Sequence, residues 1–411
     1  MFSYAFTTWV VVQMFLVSGA GVIMDKIGLR ALKILAVLLY SLGTVMFAFT
    51  SKGCSHIIFV AGVLVAVGST STLICNQQIS LMFPRLRGIA ISLMSGAFDS
   101  GTLVTFVISQ TVPVISLKLS FLILAGSAFV YGVLMALFVL TRWAPDMANL
   151  PGNQLRTAYA KFEDDRETPF ETKSDKQLAN ELDERIDVFL LERYPSVRKC
   201  LLSWPFLAGV TFMMFGVLRH AYFLGQLGQQ LHYLFDRDQE TIENFEKISS
   251  ALLMGGLIIS PVSGFVLDVS RAYYRQKMIG KFRELQGCIV DEQLYCCHLR
   301  SIAPAFLLIA VSATIYSMLM FVKHKITFYF VFFFYVLVRS LLFSATVNFI
   351  LNAFPVRYFG TITGIMSTMA GLFSLIQSAM LQLDPVTGNE LAVAACTVLF
   401  FAPLVLFFKR Q

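Results

Sequence analysis

Charge is what this sequence has least of. Asp, Glu, Lys and Arg make up 14% of its 411 residues, where an ordinary globular chain carries about 25%. That leaves too few polar groups to coat a water-facing surface. Signatures of chemistry are missing as well. No Gly-x-x-x-x-Gly-Lys-Ser/Thr loop is present to cradle phosphates, so nothing supports an ATP-driven pump. Neither His-Glu-x-x-His nor Gly-x-Ser-x-Gly occurs, so an intramembrane hydrolase finds no support either. Seven cysteines (Cys54, Cys75, Cys200, Cys288, Cys296, Cys297 and Cys396) show neither a disulfide framework nor zinc-type spacing, and they read as free thiols. No basic segment precedes the first apolar run, which is as long as a full span, so no cleavable signal peptide is expected. The reading is a chain with no enzyme activity, no cofactor and no metal.

What is present is apolar. Hydrophobic residues make up 57% of the chain, Phe alone occurs 39 times, and mean hydropathy is +0.71. A bilayer core takes about 20 apolar residues per helix. Eleven such segments are predicted, near 2–24, 32–50, 56–83, 89–112, 119–140, 201–225, 248–267, 301–322, 326–354, 361–383 and 391–408. The loops test that division. Of 32 basic residues, 24 fall in one alternate set of loops and six in the other, with Arg219 and Arg339 inside spans. Cytoplasmic loops gather Lys and Arg, so the rich set is assigned to the cytoplasm. The net charge of +7 is absorbed by those loops, and nucleic acid is not an expected partner. By the same assignment the first span starts outside, which an extra helix in front would explain.

The longest polar stretch, 142–200, mixes both charges with few aromatics and reads as a cytoplasmic linker. It divides the chain into an N-terminal half, 1–141, with five spans and a C-terminal half, 201–411, with six. Within the linker, 180–194 fits an amphipathic helix with Leu182, Ile186, Phe189 and Leu190 on one face, expected to lie on the membrane surface.

The halves echo each other. Gly21-x-x-x-Asp25 closes the first span, and Gly264-x-x-x-Asp268 closes the seventh. Phe83-Pro84 precedes Gly88 and Met94, as Phe354-Pro355 precedes Gly360 and Met366. Two pairs in the same order mark an internal repeat. Parallel repeats of membrane helices are a transporter architecture with the solute site between them. An acidic side chain at a helix C-terminus opposes the helix dipole. Asp25 and Asp268 are therefore expected to meet the N-terminus or a basic side chain of a neighbouring helix, as a latch on the cytoplasmic face.

The run from Gly21 to Arg30, Gly-Val-Ile-Met-Asp-Lys-Ile-Gly-Leu-Arg, resembles the Gly-x-x-x-Asp-Arg/Lys-x-Gly-x-Arg/Lys signature of the major facilitator superfamily. Within it, the chain resembles solute carrier family 43, which holds large-neutral-amino-acid facilitators and an equilibrative nucleobase transporter. The resemblance starts at that family's second helix and implies an all-α fold of twelve spans, eleven of them seen here. Gly96-Ala97-Phe98-Asp99-Ser100 and Arg339-Ser340 with Asn348 resemble the nucleobase branch, while Leu218-Arg219 resembles the amino-acid branch. The family implies facilitated diffusion by alternating access, in the plasma membrane, of a nucleobase or else a large neutral amino acid. A non-transporting membrane partner is the reading from another class.

Charge inside a bilayer costs about 2.5–3.5 kcal/mol on insertion scales, so each such group needs a reason. Gln77, Asp99, Arg219, Arg339 and Asn348 are the candidate solute-binding residues, and Asp25, Arg30 and Asp268 the candidate gating residues. His220 is expected to be hydrogen-bonded or to snorkel rather than to carry protons. The run Gly68-Ser69-Thr70-Ser71-Thr72 is expected to serve close helix packing.

Overall fold

A computed structural model describes residues 2–83, 86–111, 114–140, 175–235, 240–242, 244–245, 248, 256–285 and 290–408. Every regular element among them is helical. The first group comprises α1 (Phe2–Ile27), α2 (Leu29–Ala48), α3 (Ile57–Gln78), α4 (Arg87–Asp99), α5 (Thr102–Thr111) and α6 (Leu117–Leu134). Two helices follow on the linker, α7 (Asp175–Arg193) and α8 (Val197–Leu201). Then come α9 (Trp204–Phe235), α10 (Gly256–Glu284), α11 (Asp291–Arg300), α12 (Ala303–Leu319) and α13 (Lys325–Ala353). The last are α14 (Phe359–Ser374), α15 (Gln377–Met380), α16 (Pro385–Leu399) and α17 (Phe401–Phe408).

Among the described residues, each of the eleven apolar segments is largely helical, and eight helical stretches are long and apolar enough to cross a bilayer by themselves. The fourth segment is broken. It turns at Ser100 and Gly101, between α4 and α5, and Gly/Ser pairs are common sites of helix kinks. The sixth runs ten residues past its expected end, to Phe235. Its polar tail stays helical because it is buried: Gln230 Nε2 donates to the Met320 carbonyl at 2.9 Å, and Asn389 Nδ2 donates to Gln230 Oε1 at 3.1 Å.

Helices α1, α2, α3, α4 and α6 pack as one group, with α2 between α3 and α6. In the second group α9 lies between α14 and α16, and α12 packs on α13. The groups meet where α1 runs along α14 and where α4 runs along α10 and α13.

Two expectations are corrected. Asp268 does not end its helix, since α10 continues to Glu284. Helix α7 does not lie apart on a membrane surface. Leu178, Leu182, Ile186 and Leu190 are buried in the main core, and α7 packs on α10 and α11. Arg185 and Arg193 pair with Asp291 and Glu292 of α11, each at 2.6 Å. Arg275 and Arg283 of α10 pair with Asp183 and Asp175. The apolar stripe that suits a lipid surface suits a helical partner equally well. Residues 142–174 of the linker lie outside the described residues.

Candidate functional site

Between the two groups lies a cavity of about 340 Å³, walled by α1, α3, α4, α9, α13 and α14. That size suits a small organic solute. Its polar lining is mostly uncharged, from the amides Gln13 and Gln77 to the hydroxyls of Thr70, Ser95, Thr346, Thr363 and Ser367. Gln13 Nε2 donates to Thr70 Oγ1, joining α1 to α3. Phe98 and Phe343 give flat apolar surface, and His220 is part of the lining. Arg339 is the one formally charged residue among the described lining residues, and no carboxylate is among them.

Of the five expected binding residues, Gln77 and Arg339 line this cavity. Asn348 does not. It is buried in α13, and its Nδ2 donates to the Ser344 carbonyl at 3.2 Å within its own helix. Arg219 does not either. It points into the second group, where Nε donates to Ser317 Oγ at 2.7 Å and the guanidinium lies 4.3 Å from the Tyr316 ring centroid. A helix turns about 100° per residue, so Arg219 and His220 leave α9 in different directions. Asp99 is the last residue of α4, next to Phe98, and its side chain lies outside the described residues.

Sequence reasoning missed Gln13, Ser95, Thr346 and Thr363, and it assigned Thr70 to packing alone. A lone uncharged polar residue in an apolar helix carries little signal of its direction.

At the end that the loop charges assign to the cytoplasm, the two acidic residues do the same thing twice. Asp25 accepts from the backbone N–H groups of Gly360 and Thr361, at 3.0 and 2.7 Å. Asp268 accepts from Gly88 and Ile89, at 2.7 and 3.0 Å. In each case a carboxylate of one group sits on the first turn of a helix in the other, where unpaired N–H groups and the helix dipole favour an anion. The glycines make this approach possible. A Cβ on Gly21 would lie 2.0 Å from the Gly360 carbonyl oxygen, and one on Gly264 would lie 2.4 Å from Ile89 Cα. Gly-x-x-x-Asp is thus a contact motif. The glycine lets two backbones touch, and the aspartate, about one turn later, reaches the neighbouring helix start. Arg30 takes no part in these contacts. Its Nε and Nη2 donate to the Leu140 carbonyl at 3.3 and 2.8 Å, tying α2 to the end of the fifth span.

Comparison with known proteins agrees with this arrangement. The family model for the Major Facilitator Superfamily matches residues 1–378. Equilibrative nucleobase transporter 1 of Bos taurus is 24% identical over 416 residues, covering 98% of this chain and 83% of its own. Large neutral amino acids transporter small subunit 3 of Homo sapiens is 24% identical over 457 residues, covering 95% and 79%. Among solved structures, the human organic anion transporter MFSD10 (TETRAN) superposes with a TM-score of 0.57 at 12% identity, over 97% of this chain and 81% of that one. A bacterial homologue of the iron transporter ferroportin, in an outward-facing state, gives 0.54 at 13% identity, over 98% and 89%. These two show the fold alone. With helices that span a membrane in two packed groups, a cavity between them and a family match over nearly the whole length, the chain is a multi-pass membrane transporter and belongs to the Major Facilitator Superfamily.

Proposed function

We propose that this transporter carries a purine nucleobase by facilitated diffusion. The observation behind this reading is the cavity lining. Amides, hydroxyls and aromatic faces predominate, with one guanidinium and, among the described residues, no carboxylate. A planar base offers ring faces to stack and in-plane donors and acceptors to pair. An amino acid brings an ammonium as well as a carboxylate, and the described lining meets an ammonium with neutral acceptors and no carboxylate. The match to a nucleobase transporter over 98% of the chain points the same way. Among the described lining residues no carboxylates are placed to relay protons, and passive movement is the simplest energetics.

In this reading the halves 1–141 and 201–411, joined by the 142–200 linker, rock about the cavity. The Asp25 and Asp268 contacts hold the cytoplasmic side shut in the state seen here and break when it opens. Hydrogen bonds from N–H groups to a carboxylate are each worth about 1.5–3 kcal/mol, weak enough to be remade in every cycle. The plasma membrane is the proposed site of action. The test is uptake of labelled adenine and labelled leucine by cells expressing the full chain, against cells carrying empty vector. Adenine uptake above background with no leucine uptake is the expected outcome. Leucine uptake alone would replace the nucleobase with a large neutral amino acid.

A further inference from the structure

We propose that His220 is the residue that reads the hydrogen-bonding edge of the transported solute, with Tyr335 as the positioning residue that sets the plane of its ring. This rests on the nucleobase reading above and goes further, by naming the group that discriminates among planar heterocycles.

The imidazole is mounted on a stack of aromatic rings. His220 lines the cavity, and its ring lies parallel to that of Tyr335, with 1° between planes and 5.4 Å between centroids. That is an offset stack, the geometry aromatic pairs favour. Behind Tyr335, Phe223 stacks at 4.2 Å and Tyr316 meets it edge-on at 6.1 Å. All three supporting rings are buried. On another side, Phe343 stands nearly perpendicular to the imidazole at 6.2 Å. The histidine ring is therefore clamped on a rigid aromatic stack. A half-turn about Cβ–Cγ exchanges Nδ1 with Cδ2 and keeps the stack, so either edge can face the cavity.

The second observation is what this ring lacks. Nδ1 is buried with no hydrogen-bond partner, and neither ring nitrogen bonds to a described residue. Leaving such a group unsatisfied costs stability, and phenylalanine would fill the same space without that cost. A donor and acceptor held in a fixed plane and left unused is an arrangement that suits a ligand. A neutral imidazole offers one N–H and one lone pair in a single plane. Its two nitrogens point in diverging directions, so one of them meets the solute, donating to a ring nitrogen or accepting from an N–H according to tautomer; the six-membered edge of adenine, with ring nitrogens beside an amino group, offers both, and the benzo edge of benzimidazole offers neither. The aliphatic side chain of leucine has no such edge.

Purified full-length protein is tested in two ways: the thermal unfolding midpoint with and without adenine or benzimidazole, and the KM and maximal rate of adenine uptake. Benzimidazole keeps the fused flat rings but lacks the extra ring nitrogens and the amino group. Wild type is expected to be stabilised more by adenine than by benzimidazole. His220→Phe keeps the stack and removes both nitrogens. It is expected to match or exceed the wild-type midpoint without ligand, to lose the difference between the two ligands, and to raise KM about tenfold at little change in maximal rate. His220→Leu gives the same reading if the Phe variant does not fold. Tyr335→Leu leaves the imidazole but frees it, and is expected to narrow the preference for adenine. If His220→Phe or His220→Leu discriminates the two ligands as wild type does, His220 reads nothing and the inference fails alone. If wild type responds to leucine and not to adenine, the nucleobase reading itself fails and the ligand class falls with it.

Discussion

Replacing Gly21 by alanine tests the proposed cytoplasmic latch at its tightest point. The new methyl would lie 2.0 Å from the Gly360 carbonyl oxygen and 2.5 Å from its carbon. Atoms of this kind rest about 3.5–4.0 Å apart, and both partners are backbone, so no side chain can swing away. The helices must part by more than about 1 Å, which breaks hydrogen bonds that stand at 3.0 and 2.7 Å. Two charge-assisted bonds carry about 1.5–3 kcal/mol each. Water reaching the freed carboxylate at the rim recovers much of that. A net shift of about 1–3 kcal/mol toward the cytoplasm-open state follows, or about 5–150-fold in population. The assay is alkylation of a thiol introduced by Met24→Cys, a position that is 4% exposed beside the latch. Cytoplasmic reagent should label it much faster in the Gly21→Ala background than in the unsubstituted one. Gly19→Ala is the control, because its methyl would meet nothing within 4 Å. Alanine there removes helix-interior glycine and is expected to stabilise by about 0.5–1 kcal/mol. Equal labelling in the Gly21→Ala and Gly19→Ala backgrounds would refute the close-contact argument.

Other outcomes follow from the same geometry. Asp268→Asn removes the charge from the second latch, and if both latches report one conformational equilibrium it too should speed labelling at Met24→Cys, by about 5–30-fold for a cost of about 1–2 kcal/mol. Arg219→Met should leave the adenine KM within about twofold, since the guanidinium faces away from the cavity, and an apolar replacement of a buried charge is often neutral or stabilising; a tenfold rise in KM would place Arg219 at the solute instead. Leu182→Ala should loosen α7 by about 2–5 kcal/mol, because that side chain is 1% exposed in the core. Arg193→Ala, on a partly exposed ion pair, should cost under about 1 kcal/mol; limited proteolysis near α7 ranks the two.

The sequence made the spans legible because a bilayer demands long apolar runs, and it made the latches legible because each needs both a glycine and an acid at a set spacing. Asp25 and Asp268 came out of that spacing. Arg30 belongs to the same local run but, among the described residues, bonds within its own half, and a motif alone does not say which of its members reach across. The cavity was harder. Arg339 and Gln77 were found because charge and amides in a membrane need reasons. Arg219 met the same criterion, yet its reason is Ser317 and Tyr316 inside the bundle. Intramembrane polarity marks an unusual residue, while helix phase, which adjacent Arg219 and His220 show most clearly, decides what it faces. Helix α7 shows a related limit, since an apolar stripe does not say whether lipid or protein covers it.

The central claim is that the cavity passes a nucleobase from one face to the other without an energy source. Equilibrium exchange in proteoliposomes holding only the purified full-length chain tests it most directly. Vesicles loaded with unlabelled adenine should take up labelled adenine much faster than empty vesicles, with no gradient of protons or sodium imposed. They should stop at equal concentration inside and out. Uptake that is indifferent to internal adenine, that needs an ion gradient, or that is driven by leucine and not adenine would contradict the account.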